Sequence, residues 1–228
     1  LLRGNRTCKL DTHKLASFDS PNCPPLATVG VSISPSHHIW RQPPSGRLRV
    51  HTNFESKILV VRITPGFDES LIGGMIEHAA GLRGLVLALY GTGNGPSHNA
   101  GFLELIKHTV EKGITVVVST QCYRGSVSLS SYEARDAAEM RPRDQAAPGL
   151  SGVSTAAQVG QAFLDMGVIS AGDMTMEACV TKLAYLLGRG LRGDELRVPM
   201  MTDLRGELSA QSGLTSLTQM KRHRASKL

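Results

Sequence analysis

The residues of this chain that are spaced for chemistry fall into a few small groups. Gly91-Thr92-Gly93-Asn94-Gly95-Pro96 sets three glycines at alternate positions after an apolar run, as a phosphate-cradling loop would. The dinucleotide fingerprint needs its third glycine later and an acidic residue after a second strand; both are lacking, so a nucleotide site is a weak reading. Ser151, in Gly149-Leu150-Ser151-Gly152, lacks the second glycine that puts a nucleophilic serine on a strand-to-helix elbow. His37 and His38 are adjacent, with no Cys, Asp or Glu at ligand spacing, and read as loop residues rather than a metal site. Cys8, Cys23, Cys122 and Cys179 lie far apart without a Cys-x-x-Cys pair, as reduced, intracellular thiols would. No set of His, Asp and Cys has spacing specific enough to name a triad. The chemistry must therefore be positioned by the fold.

The elements that would position it centre on residues 84–122. Leu85-Val86-Leu87-Ala88-Leu89-Tyr90 is a continuous apolar run of strand length, as in a strand covered on both faces. Phe102, Leu103, Leu105, Ile106 and Val110 then recur at helical spacing, with Gly113 as the stop, before a second buried strand at Ile114-Thr115-Val116-Val117-Val118. Parallel strands joined by a crossover helix point the same way, so the loops 91–96 and 119–125 emerge on one rim, where open α/β sheets bind ligands. Upstream, Ile58-Leu59-Val60-Val61-Arg62-Ile63 reads as a strand, and Asp68 as the cap of a helix carrying Leu71, Ile72, Met75 and Ile76. Downstream, Asp173 or Thr175 caps a helix whose apolar face is Met176, Cys179, Val180, Leu183, Leu186 and Leu187, with Gly188 as its stop. A short last helix spans 194–201. The pattern is α/β, a small doubly wound, flavodoxin-like parallel-sheet domain.

The 228 residues are 41% hydrophobic, enough for one sizeable core. The formal charge of +6 is concentrated outside the α/β pattern, at Arg3/Arg6/Lys9, Arg41/Arg47/Arg49, Arg141/Arg143 and Lys221-Arg222-His223-Arg224. With 4% aromatics and no basic stripe interleaved with them, solvated loops and a basic tail are favoured over a nucleic-acid partner. Nothing approaches a membrane span. Asn5-Arg6-Thr7 matches a glycosylation acceptor, but in the absence of a secretory signal the match is read as accidental. Residues 26–33 read as a short strand, and 34–55, rich in Pro, His, Arg and Ser, as an exposed link.

At Arg3-Gly4-Asn5-Arg6-Thr7-Cys8-Lys9, Ser20-Pro21-Asn22, Tyr90 to Pro96, Thr120-Gln121-Cys122, Tyr132 and Gly172-Asp173-Met174-Thr175-Met176-Glu177-Ala178, the chain resembles the type I L-asparaginases. The resemblance is to the cytosolic bacterial and mammalian forms, the latter also described as 60 kDa lysophospholipases. It implies a two-domain, homo-oligomeric hydrolase that converts L-asparagine to L-aspartate and ammonia without cofactor or metal. In that family a threonine of a Thr-Gly-Gly-Thr motif attacks the amide, and a Gly-Thr-Asp-Thr motif and a lysine manage the protons. A hydroxyl is a weak nucleophile until a neighbouring base accepts its proton. The resemblance puts Lys9 at the position of that lysine, and Tyr132 at that of a tyrosine lent to the facing subunit.

The implied organisation is 1–33 as the end of a larger N-terminal α/β domain, 34–56 as linker and 57–208 as the C-terminal α/β domain. Residues 135–159 read as a disordered insertion, and 209–228 as a flexible basic tail. Ala88 stands where bacterial relatives carry an arginine of an allosteric pocket, and Cys8 replaces a neighbouring threonine. The 228 residues contain neither threonine motif, so the isolated chain is expected to be inactive. The alternative is a non-catalytic module that pairs with a full-length subunit. The expected compartment is the cytoplasm, with the peroxisome as alternative through Ser226-Lys227-Leu228.

Overall fold

The structure is a computed structural model that describes residues 1–43, 46–96, 100–129 and 156–209, with 156–158 as backbone only. Ser151, Tyr132, the bulk of the expected insertion and the tail beyond Ser209 lie outside the described residues.

Short apolar stretches separated by polar turns are too brief for helices, and the first forty residues form two small hairpins. In the first, β1 (Cys8–Lys9) pairs antiparallel with β2 (Phe18–Asp19). In the second, β3 (Ala27–Val29) pairs with β4 (Ile33–Pro35). The single strand expected over 26–33 is thus folded back on itself: Gly30-Val31-Ser32 makes the turn, with the Gly30 amide donating to the Ser32 carbonyl. The hairpin also runs across the boundary expected at residue 33.

The sheet follows. β5 (Ile58–Arg62), β6 (Gly84–Leu89), β7 (Thr115–Thr120) and β8 (Ile169–Ser170) are parallel and lie side by side in chain order. The crossovers are α1 (Glu69–His78), α2 (Ala100–Glu111) and α3 (Ala156–Met166). All three pack on one face, where Ile72, Ile76, Phe102, Ile106 and Phe163 meet Leu85, Leu87, Leu89, Val116 and Val118. Two helices after β8, α4 (Met176–Gly188) and α5 (Asp194–Met201), cover the other face, with Leu183, Leu186, Leu187, Leu196 and Met200 against Val86, Val117 and Ile169. Burial on both faces explains the unbroken apolar run in β6, whose six residues are all buried. The fold is the expected α/β class, with its strands in sequential order. α3 begins at Ala156, so the last residues of the expected insertion are helical.

Capping follows the sequence in part. Asp68 caps α1 by accepting from the Ser70 amide at 2.8 Å. Of the two candidate caps for α4, Thr175 does the work, accepting from the Ala178 amide at 3.1 Å. Gly188, expected as a stop, has another role as the last residue of α4. The strap 49–56 crosses there, with the Glu55 amide donating to the Ala184 carbonyl at 3.0 Å. A Cβ on Gly188 would overlap the Asn53 carbonyl.

Two glycine-to-alanine substitutions should therefore move stability in opposite directions. Gly74, inside α1, faces open space, so Gly74→Ala gains helix propensity worth up to about 1 kcal/mol. Gly188→Ala gains the same propensity but displaces a backbone strap and its hydrogen bond. The expected net loss is about 1–2 kcal/mol, a fall of a few degrees in Tm. Thermal unfolding of the two variants checks both signs.

Candidate functional site

The chain from Arg3 to Lys9 reaches the C-terminal rim of the sheet through one buried ion pair. Gly4–Arg6 makes a 3-10 turn, closed by the Thr7 hydroxyl donating to the Arg3 carbonyl at 2.7 Å. The turn aims Arg6 inward. Its guanidinium donates to both carboxylate oxygens of Asp173, Nη1 at 3.1 Å and Nη2 at 2.7 Å, with the two side chains 2% and 8% exposed. It also donates to the carbonyls of Asn22 and Glu207, each at 2.7 Å, and to Ser209 Oγ at 3.0 Å. Burial disfavours the Asp173 carboxylate, but Arg6 and the Ser209 amide outweigh it and hold the group below the usual carboxylate range. Ser209, expected in the flexible tail, is part of this anchor.

Asn22 extends it. Its Nδ2 donates to the carbonyls of Gly125 (3.0 Å) and Asp173 (3.1 Å), and its Oδ1 accepts from the Gly125 amide (2.9 Å). A second buried pair lies behind, Lys182 with Glu207 at 2.7 Å. Burial alone would raise Glu207; Lys182 and the Leu204 amide overcome it and lower the carboxyl to about 2.

The rim loops are built from backbone carbonyls and the side chains that satisfy them. Gln121 Nε2 donates to the carbonyls of Ile63 (2.6 Å) and Ala88 (2.8 Å), tying the ends of β5 and β6, while its Oε1 accepts from Arg62 Nε at 3.2 Å. Thr120 Oγ1 donates to the Gly91 carbonyl. Gly91 and Gly93 both take positive φ in a turn closed by the Tyr90–Asn94 bridge, so the turn accounts for these two glycines without a phosphate. The resulting cavity, about 290 Å³, is lined by residues including Cys8, Arg62, Ala88, Gln121, Cys122 and Glu177. Burial and the Glu177 carboxylate push the Cys8 thiol up to about 11, so it is not a thiolate nucleophile at neutral pH. Among the described residues, no group of three or more His, Cys, Asp or Glu is placed to hold a metal.

Lys9 lies on β1 next to Cys8. Its side chain is exposed, with the ammonium 5.8 Å from the centre of the Phe18 ring. It does not line the rim cavity. Tyr132, outside the described residues, cannot be placed beside it.

Comparison with known proteins fits this architecture. The family model for the glutaminase/asparaginase C-terminal domain matches residues 57–200. The chain belongs to the asparaginase family. It is 34% identical over 209 residues to L-asparaginase 1 of Escherichia coli K12, covering 92% of this chain and 54% of that protein. It is 33% identical over 211 residues to the 60 kDa lysophospholipase of Mus musculus, covering 92% of this chain and 32% of that protein. L-asparaginase I of Vibrio cholerae superposes with a TM-score of 0.71 at 32% identity, covering 91% of this chain and 54% of that one. The chain thus spans about half the length of these bacterial asparaginases and a third of the mouse protein. In this family member the Arg6 and Asp173 motifs are the anchor just described.

Arg6 and Asp173 were visible as motif members, yet their pairing was not read from sequence, because 167 positions separate them. Removing one partner leaves an uncompensated buried charge. Asp173→Ala is expected to cost about 3–5 kcal/mol in urea unfolding, and a loss under about 1 kcal/mol would show the anchor to be incidental. Asp173 and Glu207 titrate lower folded than unfolded, where carboxyls titrate near about pH 4. Their stabilisation is therefore full above about pH 5 and lost as pH falls toward about 2. Urea midpoints across that range should drop steeply for the native chain and less so for Asp173→Asn.

Proposed function

We propose that this polypeptide is the C-terminal part of an L-asparagine amidohydrolase that converts L-asparagine to L-aspartate and ammonia. The observation that carries the reading is the match over residues 57–200 together with an Arg6–Asp173 anchor that holds the Lys9 segment against the matched domain. In this reading Lys9 handles protons for a threonine nucleophile supplied by sequence outside these 228 residues. Tyr132 is lent to the site of a facing subunit, in a homo-oligomer built through the C-terminal domain. Lys9 enters this reading through the resemblance, its side chain being exposed and outside the lining of the rim cavity. No described helix is long and apolar enough to cross a membrane. The compartment in this reading is the cytoplasm, with the peroxisome as the alternative through Ser226-Lys227-Leu228.

A nucleophile and its base act as a unit, so the 228 residues alone should release ammonia from L-asparagine at under about a thousandth of the rate of a complete relative. Turnover near that of the relative would sink the reading. In a fusion to the N-terminal half of a bacterial asparaginase, Lys9→Met should lower kcat by about 10²–10⁴-fold; an unchanged kcat would remove Lys9 from the mechanism.

A second reading, a non-catalytic module that pairs with a full-length subunit, is favoured by the apolar residues the hairpins leave exposed: Leu15, Phe18, Val29, Val31 and Ile33. Co-purification with a full-length homologue supports it, and a lone monomer counts against it.

A further inference from the structure

Away from the rim, a cavity of about 380 Å³ lies between the strap residues 49–54 and α4, and shares no lining residue with the rim cavity. Its size falls within the usual range of small-molecule sites, about 300–1,000 Å³. One wall is aromatic. The Tyr185 ring stands 5.9 Å from Phe54 and 6.2 Å from His51, centre to centre, and Val50 and Ala178 add apolar surface. The charged lining is Arg49, Arg205, Lys182 and Glu207. Lys182 and Glu207 pair with each other at 2.7 Å, so Arg49 and Arg205 are left as the cations without an acid. Neither forms a salt bridge among the described residues.

Arg205 is held in place. Its guanidinium lies 4.6 Å from the centre of the Tyr185 ring, its amide donates to Glu207 Oε2 at 2.6 Å, and its carbonyl accepts from Asn5 Nδ2 at 2.9 Å. Asn5 also lines the cavity, and its Nδ2 ties it to the Arg205 carbonyl.

We propose that this cavity is a binding site for a small anion with a flat apolar body. The flat body packs against Phe54 and the exposed part of the Tyr185 ring, whose plane is tilted 52° to that of Phe54, and the anionic group meets Arg205 and Arg49. The shared chemistry, a planar ring carrying an anion, could come from a mononucleotide or from an aromatic carboxylate. Arg49 belongs to the strap that Gly188 lets cross α4, so the pocket depends on that crossing.

The test is isothermal titration calorimetry on the whole 228-residue chain with adenosine monophosphate, phenylpyruvate, adenosine and inorganic phosphate. At least one of the first two should bind with Kd below about 5 mM, with adenosine and phosphate at least about tenfold weaker. Binding of the monophosphate alone identifies the phosphate source, and of phenylpyruvate alone the carboxylate source; either supports the site. Arg49→Glu, on an exposed strap residue, and Arg205→Glu should each weaken binding at least about tenfold. Circular dichroism melts of the Arg49 variant should match the native chain, separating lost binding from lost folding. No binding by either ring anion, phosphate binding as tightly as both, or undiminished binding in the Arg49 variant would overturn the proposal. None of these readouts depends on amide hydrolysis.

Discussion

A guanidinium and a carboxylate taken out of water together, Arg6 on Asp173, are what the rest of the structure depends on. Each would be costly to bury alone; together, with the Asn22 and Glu207 carbonyls and the Ser209 amide and hydroxyl completing their hydrogen bonds, they are satisfied. The pair joins three stretches remote in sequence: the N-terminal turn, the β8–α4 loop and the segment after α5. It acts with the hydrogen bonds of Asn22, Arg3 and Asn5, which tie the same segment to Gly125, Gly206 and Arg205.

Among the described residues, several other cations are tied down by contacts of the same kind. Arg3 donates to the carbonyls of Ile39 and Gly206, Arg6 is buried, Arg41 pairs with Asp203, and Lys182 pairs with Glu207. Arg3, Arg41 and Lys182 in this way join the N-terminal segment and α4 to the last described stretch. A formal charge of +6 therefore says little about partners until each cation has been located. Arg205 and Arg49 line one cavity beside the Tyr185 ring.

The sheet explains the division of labour among the family motifs. Thr120 and Gln121 close the ends of the strands, Asn22 and Asp173 hold the incoming segment, and Thr175 caps α4. In this chain these residues position the segment, the strand ends and α4. A loop-built site needs its backbone carbonyls and amides satisfied before any side chain can be held still.

The sequence by itself determined the local structure and the family. Continuous apolar runs gave β6 and β7, helical spacing gave α1, α2 and α4, and Asp68 was legible as a cap, because these signals live within one or two turns of chain. The motifs from Arg3 to Ala178 carried the kinship. Only the tertiary structure decided which of Asp173 and Thr175 caps α4, that 26–35 is a hairpin, that Gly188 makes room for a strap, and that Lys9 faces outward. It also decided that Asn5, Arg49, Tyr185 and Arg205 share one cavity. Each of those outcomes rests on contacts between residues far apart in the chain, whose pairing has no local signature, since short-range propensity sets only what a segment forms and never what it meets.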